Sequence, residues 1–422
     1  MGLKDGQKCM MMGTAEAPPE APKEKPKFIE DMTSEEKAKE YLPSGLQNLG
    51  NTCYLNSALQ TMRIVPELWQ DLKETNIAGD TPEQQTTAAL KVLNAQMNGT
   101  PETVAPNFFV QLFRQNYPQF AQQGEGGAFS QQDAEEAWTQ ILSAVAQTLT
   151  KDDTNTVEQL FAGELTVDMK CAEKDDEPAE TRVERFRSLK CHINNQSSTL
   201  EMGLTESMSE KLTKNSPSLG REAVYLKESK LQKLPEYLAV HLVRFYYKAD
   251  VKKKAKVVRP ISFPMTLDLY TLCSEANKKA LEKGRSILAG RRDEEVEKRR
   301  KAKQGAGASS STEMEVDEED EEKKAKRKEE DEYLSTSGNK SAWYELCGII
   351  THKGRDADGG HYVAWVKHKG EWLLFDDAKV EIVREEKVKE VYGGAADNHL
   401  AYLLLYRSRK PASEGGAVCG PP

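Results

Sequence analysis

The chain has 422 residues, 59 Lys and Arg against 68 Asp and Glu, a formal net charge of -9 and a pI near 5.5. This acidic balance argues against nucleic acid or an anionic membrane as the main partner, and no run reaches the roughly 18 apolar residues that span a bilayer. Seven scattered cysteines and no CxxC pair lead to the expectation of a soluble, intracellular, monomeric protein with reduced thiols, no structural metal and no cofactor.

Taken in chain order, residues 3–12 read as one short strand. A single strand is not stable alone, so residues 1–13 are expected to be the remnant of a larger domain. Residues 14–40, rich in Ala, Pro, Glu and Lys, read as a linker. A folded domain is expected over 41–408. Its first part, to about 150, is mostly helical: Leu55, Leu59 and Met62 keep helical spacing until Pro66, and another helix is expected to begin near Gln131 and run through Trp138, Ile141 and Val145. Strand patterns follow at 165–170 and 237–245 and return from 343 to 407. Between them lies a charged insertion, 276–338, whose first part is expected to be helical and the rest disordered, like the tail 409–422. Its basic cluster Lys323-Lys-Ala-Lys-Arg-Lys328 is either a solvated charge run or a nuclear import signal, so the expected location is cytoplasmic, with the nucleus as a second compartment.

Two segments carry chemistry. In Asn48-Leu-Gly-Asn-Thr-Cys53-Tyr-Leu-Asn a cysteine opens an apolar run of helical spacing, with Asn51 or Thr52 available as its cap. A thiol at a helix N-terminus sits where the dipole favours the nucleophilic thiolate. The polar, glycine-flanked approach argues for exposure, whereas a lone helical cysteine is otherwise a structural one. Asn48 either shapes the turn or donates its amide to the oxyanion of a tetrahedral intermediate.

The second segment is Gly360-His361-Tyr362-Val-Ala-Trp-Val, followed after Lys367-His-Lys-Gly370 by Glu371-Trp-Leu-Leu-Phe-Asp376, the signature of a hairpin. A turn centred on 368.5 pairs residue 361 with 376, with Cα atoms roughly 4.5–5.5 Å apart. Asp376 can then orient His361 and leave its other ring nitrogen for Cys53. Asp377 faces the other side of the strand and is the weaker choice. Ser130-Gln-Gln132-Asp133 reads as a capping box, and equally as a site where Gln132 and Asp133 hydrogen-bond an extended peptide.

These residues resemble the ubiquitin-specific protease family over most of 41–408. The resemblance is carried by the cysteine box 45–60, the Gln-Gln-Asp box 131–133, the boxes at 234–245 and 261–269, the histidine box, and Ala401-Tyr-Leu-Leu-Leu-Tyr406. It implies an α+β, papain-like fold with thumb, palm and fingers. By the same resemblance Cys53 is the nucleophile, His361 the general base, Asp376 the third member and Asn48 the oxyanion donor. The tail of ubiquitin would be held by Gln132, Asp133, Gly360 and Tyr362, with the glycine-rich loop 354–360 free to cover the cleft. Phe28-Ile-Glu-Asp-Met-Thr33 and Arg63-Ile-Val-Pro-Glu-Leu68 resemble a proteasome-associated subgroup with an N-terminal ubiquitin-like domain. The implied partners are therefore ubiquitin, ubiquitinated proteins and the proteasome regulatory particle. The implied activity is thiol-dependent hydrolysis after the last glycine of ubiquitin. The competing reading is a catalytically silent or autoinhibited ubiquitin-binding adaptor.

Overall fold

The computed structural model describes residues 42–124, 126–151, 154–174, 177–194, 197–248, 253–305, 318–355, 359–394 and 398–410. The expectations for 1–13, for the linker up to 41 and for the tail beyond 410 lie outside the described residues, as does the middle of the glycine-rich loop.

The first lobe is helical: α1 (Cys53–Met62), α2 (Pro66–Glu74), α3 (Pro82–Gly99), α4 (Asn107–Asn116) and α5 (Ala134–Thr148). Pro66 stands at the start of α2, where its missing N–H costs nothing, and α3 begins with a capping box between Thr81 and Gln84. Every residue of α1 is buried, including polar ones. Three of their side chains pair locally: Ser57 Oγ donates to Tyr54 O at 2.9 Å, Gln60 Nε2 to Ser44 O at 2.9 Å and Thr61 Oγ1 to Ser57 O at 2.9 Å. Pairing of this kind is what lets a helix this polar stay inside.

After α6 (Thr156–Phe161) the chain turns to strands: β1 (Gly163–Cys171), β2 (Glu180–Phe186) and β3 (Ser188–His192), then α7 (Leu200–Ser207), then β4 (Ser209–Ser216), β5 (Arg221–Lys233), β6 (Tyr237–Val243), β7 (Phe245–Lys248), β8 (Lys253–Lys256) and β9 (Thr266–Asp268). Helices α8 (Glu275–Gly305) and α9 (Glu318–Ser335) precede β10 (Trp343–Lys353), β11 (His361–His368), β12 (Glu371–Asp376), β13 (Lys379–Val383), α10 (Glu385–Lys389) and β14 (Leu400–Ser408). The long sheet has the order β13-β12-β11-β10-β14-β6-β3, with β9 added on β10; β3 runs parallel to β6 and the other pairs are antiparallel. Its inner strand β14 is almost wholly buried, which explains the unbroken apolar run 400–406: a strand covered on both faces has no polar side. Helix α1 lies against the neighbouring strands β10, β11 and β12 of the same sheet. A separate antiparallel sheet, β2-β1-β5-β4, alternates buried and exposed positions along β5, as a half-solvated sheet should.

Two expectations need correction. The strand predicted over 237–245 breaks at Arg244, whose fully buried side chain donates to the carbonyls of Ala401 at 2.5 Å, Val257 at 3.0 Å and Arg259 at 2.9 Å. The charged insertion is helical in its second part as well, because α8 and α9 pair through side chains. Arg291 contacts Glu330 at 3.1 Å and Asp331 at 2.6 Å, and Arg327 contacts Glu294 at 2.8 Å. Leu281, Leu288 and Leu334 are buried at its base. Among the described residues no helix is long and apolar enough to cross a membrane.

Candidate active site

Cys53 is the first residue of α1. Its expected capping differs in detail: Thr52 holds the N-cap position without a side-chain cap bond, and its Oγ1 instead accepts from Leu49 N at 2.9 Å. Asn51 has φ 52 and donates to Phe129 O at 2.8 Å. The thiol is also less open than its approach suggests, with Cys53 3% exposed. Two N–H groups converge on the sulfur, the Tyr362 backbone amide at 3.5 Å and Gln131 Nε2 at 3.7 Å, and they account for the covering.

His361 begins β11, an inner strand of the long sheet. Its Nε2 lies 2.5 Å from Asp376 Oδ1, and Cys53 is near enough to act on the ring, so the imidazole stands between thiol and carboxylate. Cys53 is the largest influence on the ring; it and Asp376 outweigh burial and raise the imidazolium to about 9. An imidazole held between these two groups can lend a proton to one side while staying oriented from the other.

The hairpin that brings His361 to Asp376 differs from the expected register. Ala364 pairs with Phe375 and His368 with Glu371, so the turn is Lys369-Gly370, both at positive φ, 48 and 88, as a two-residue hairpin turn requires. Carried on to 361, this register puts 378 opposite, two residues past the expected partner. A two-residue displacement preserves the face of the strand, which leaves His361 and Asp376 as diagonal neighbours on one side of the sheet.

Asp377 stands farther from the ring, with Oδ2 4.0 Å from His361 Nε2, and its hydrogen bonds go to other residues. It leads the turn into β13 at φ 49 and accepts from Asn48 Nδ2 on Oδ2 and from Asn56 Nδ2 on Oδ1, both at 2.8 Å. The backbone joins in, with Leu46 N donating to Asp377 O at 2.9 Å. Thus the β12–β13 turn is stapled to the segment leading into α1, and Asn48 is held in that segment, its Oδ1 accepting from Gly50 N at 3.0 Å and Thr52 N at 3.3 Å and one amide proton committed to Asp377. His361, Asp376 and Asp377 also form a cluster of metal-capable atoms within 4.8 Å of one another, but the hydrogen bonds above already account for each of them. Cys171 lies in β1 and Cys191 in β3, strands of different sheets, both buried.

Of the other expected site residues, Asp133 is the N-cap of α5, accepting from Glu135 N at 2.7 Å and Glu136 N at 3.2 Å, and its other oxygen accepts from Tyr402 OH at 2.5 Å. The helix therefore starts after Asp133, and Ser130 is not its cap. Gln132 donates to Ser130 O at 3.3 Å. The Tyr362 ring is buried, 4.6 Å from that of His352. Gly360 has φ 121, and a Cβ there would fall 2.3 Å from Lys353 O, so only glycine fits. Gln131 was missed in the sequence as a contact of the thiol. The signal was its place in the Gln-Gln-Asp run, but only the long-range packing of α5 against α1 reveals which glutamine reaches the sulfur.

Residues 44–406 match the family model for ubiquitin carboxyl-terminal hydrolases. The chain is 40% identical to ubiquitin carboxyl-terminal hydrolase 7 of Arabidopsis thaliana, over 97% of this chain and 87% of that protein. It is 36% identical to ubiquitin carboxyl-terminal hydrolase 6 of Schizosaccharomyces pombe, over 97% and 87%, and 34% identical to ubiquitin carboxyl-terminal hydrolase 14 of Caenorhabditis elegans, over 96% and 82%. Its fold is similar to that in the structure of the SAGA Ubp8/Sgf11/Sus1/Sgf73 DUB module bound to ubiquitin aldehyde, with a TM-score of 0.58 at 21% identity, covering 89% of this chain and 71% of that one. The helical lobe, the long sheet and the separate four-stranded sheet are accordingly thumb, palm and fingers of an α+β, ubiquitin-specific protease fold. With a match this extensive, the chain belongs to the ubiquitin carboxyl-terminal hydrolase family and is a cysteine-type deubiquitinase.

Proposed function

We propose that Cys53, His361 and Asp376 hydrolyse the bond after the C-terminal glycine of ubiquitin in conjugates and ubiquitin chains. The observation that carries this reading is the imidazole of His361, 2.5 Å from Asp376 Oδ1 and near enough to Cys53 for the thiol to be the largest influence on its raised pKa. The Cys53 thiolate attacks the glycine carbonyl carbon and a C–S bond forms. Negative charge moves to the carbonyl oxygen, within reach of the Asn48 amide proton not committed to Asp377. Collapse breaks the C–N bond, with the His361 imidazolium giving its proton to the departing amine and leaving a thioester. Water, deprotonated by His361, then attacks the thioester carbon and breaks the C–S bond, releasing the ubiquitin carboxylate and the thiol.

In this reading Gln132, Asp133, Gly360 and Tyr362 line the path of the ubiquitin tail. Asp133 has lone pairs beyond its present bonds for backbone N–H groups of an extended peptide, and the side-chain-free approach at Gly360 suits a tail ending in two glycines. The test is hydrolysis of ubiquitin carrying a C-terminal fluorophore: Cys53→Ala is expected to lose turnover and keep ubiquitin binding, and retained turnover contradicts the assignment.

The finer part of the proposal is that the enzyme works with the proteasome regulatory particle, in the cytoplasm and nucleus. Its support is the resemblance of the 63–68 segment to the proteasome-associated subgroup. Titrating regulatory particle into the hydrolysis assay is expected to raise the rate, and a flat response counts against this part alone.

A further inference from the structure

Beneath the loop that leads into His361 lies a buried polar cluster that the proposed reaction does not use. Lys256, the last residue of β8, crosses to the end of β10. Its Nζ is 2.7 Å from His352 Nδ1, 3.1 Å from His352 O and 2.7 Å from Gly354 O. His352 is fully buried, with burial first and Lys256 second lowering it to about 3, so its ring is neutral. That fixes the tautomer: Nδ1 accepts from Lys256, and Nε2–H donates to Gly359 O at 3.2 Å. One ammonium and one imidazole thereby hold both sides of the loop, Gly354 where it leaves the sheet and Gly359 where it returns.

The return is tight. Gly360 passes so close to the ring that a Cβ there would meet His352 Nε2 at 2.7 Å, and Phe245, paired with Lys256 across the β7–β8 hairpin, closes the ring from the side with centroids 5.2 Å apart. Residue 361 follows at once, opposite Lys353 on β10.

We propose that Lys256 is a positioning residue for the deubiquitinase: its ammonium clamps the two sides of the loop before His361 and so holds the imidazole against Cys53. The proposal rests on His361 as the general base. An ammonium has three protons, and here they have three acceptors, so the clamp is complete only while Lys256 is charged. A neutral amine has two protons and must release one acceptor. Burial, with the nearby Arg244 guanidinium adding to it, lowers Lys256 to about 8, which places the release within an accessible range. The groups facing the cluster are Arg244 on the connection after β6, His352 on β10, and His399, itself lowered to about 4 by burial.

Displacing a catalytic imidazole by about 1 Å costs roughly 10- to 100-fold in rate. Lys256→Met is therefore expected to lower kcat for ubiquitin-fluorophore hydrolysis by that factor and by more than it changes KM, because Lys256 reaches Gly360 and Tyr362 in the tail path only through His352. Lys256→Arg keeps a permanent charge and is expected to restore most of kcat. It should also move the alkaline limb of the kcat–pH profile from near 8 in the wild type toward the limit near 9 set by His361. An unchanged kcat in Lys256→Met, or a limb that stays near 8 in Lys256→Arg, overturns the proposal. Amide exchange in the wild-type protein tests the clamp without any variant and without turnover. After correction for intrinsic pH dependence, protection of Gly359 and Gly360 is expected to fall between pH 7 and 9.5, and constant protection contradicts the clamp. Full activity in His361→Ala would instead sink the underlying assignment of the base, an outcome that the exchange experiment does not depend on.

Discussion

At Asp376 and Asp377 two adjacent carboxylates face different partners, because Asp376 stays in β12 beside His361 while Asp377 turns back toward α1 at φ 49. Replacing each by Asn separates their tasks. Asp376→Asn is expected to lower kcat by roughly 100- to 10,000-fold while leaving measurable activity, since orientation is lost and the base survives. Asp377→Asn sets an amide against the Asn48 or Asn56 amide that now donates to it. Its expected effect is a loss of ~1–3 kcal/mol in denaturant unfolding, with a smaller fall in kcat. The reverse ranking in kcat would show that Asp377 is the orienting group. His361 offers a second test at this scale. Its imidazolium is raised to about 9, first by Cys53 and then by Asp376 against burial, so its NMR titration is expected to move down in Cys53→Ala. Because the folded value lies above the ~6.5 of an unfolded histidine, its contribution to stability is complete below pH ~6.5 and fades as pH rises through about 9. A wild-type His361 titrating at 6.5 contradicts the bridge between thiol and carboxylate.

Among the elements, the β11–β12 hairpin shows what local pattern can and cannot reveal. Apolar runs flanking Lys369-Gly370 announced the hairpin, and hence that His361 and Asp376 lie near each other. The register came out two residues away because β11 runs on to His368, and only the even displacement kept both side chains on one face. What was not legible is what long-range packing decides: Gln131 on the sulfur, Asp377 stapled to Asn48 and Asn56, and Lys256 beneath the loop join segments 70 or more residues apart. The α8–α9 insertion escaped for another reason. Its composition is that of a solvated chain, and its order comes from cross-helix ion pairs and a few buried leucines at the base. Exposed ion pairs contribute little, so replacing 293–327 by a short flexible linker is expected to leave kcat/KM unchanged. Leu281→Ala, at a position 3% exposed, is expected to cost ~2–5 kcal/mol in unfolding. A strong loss of hydrolysis in the shortened protein would give the distal hairpin a role in catalysis.

For the molecule as a whole, the thumb supplies the nucleophile at a helix start and the palm supplies base and carboxylate from the ends of two neighbouring strands, so the site exists only when the two lobes are packed together. That packing is dense where it matters: α1 is buried along its length, and Asp377 crosses from the palm to hold two asparagines of the thumb. An adaptor with the same grip on ubiquitin would need none of this convergence on one sulfur. The direct test is to incubate the protein with ubiquitin whose C-terminus carries a thiol-reactive group and to locate the product by mass spectrometry. One ubiquitin attached at Cys53, and none in Cys53→Ala although that variant still binds ubiquitin, is the result expected; binding without an adduct, or an adduct on any other of the seven cysteines, would contradict the account.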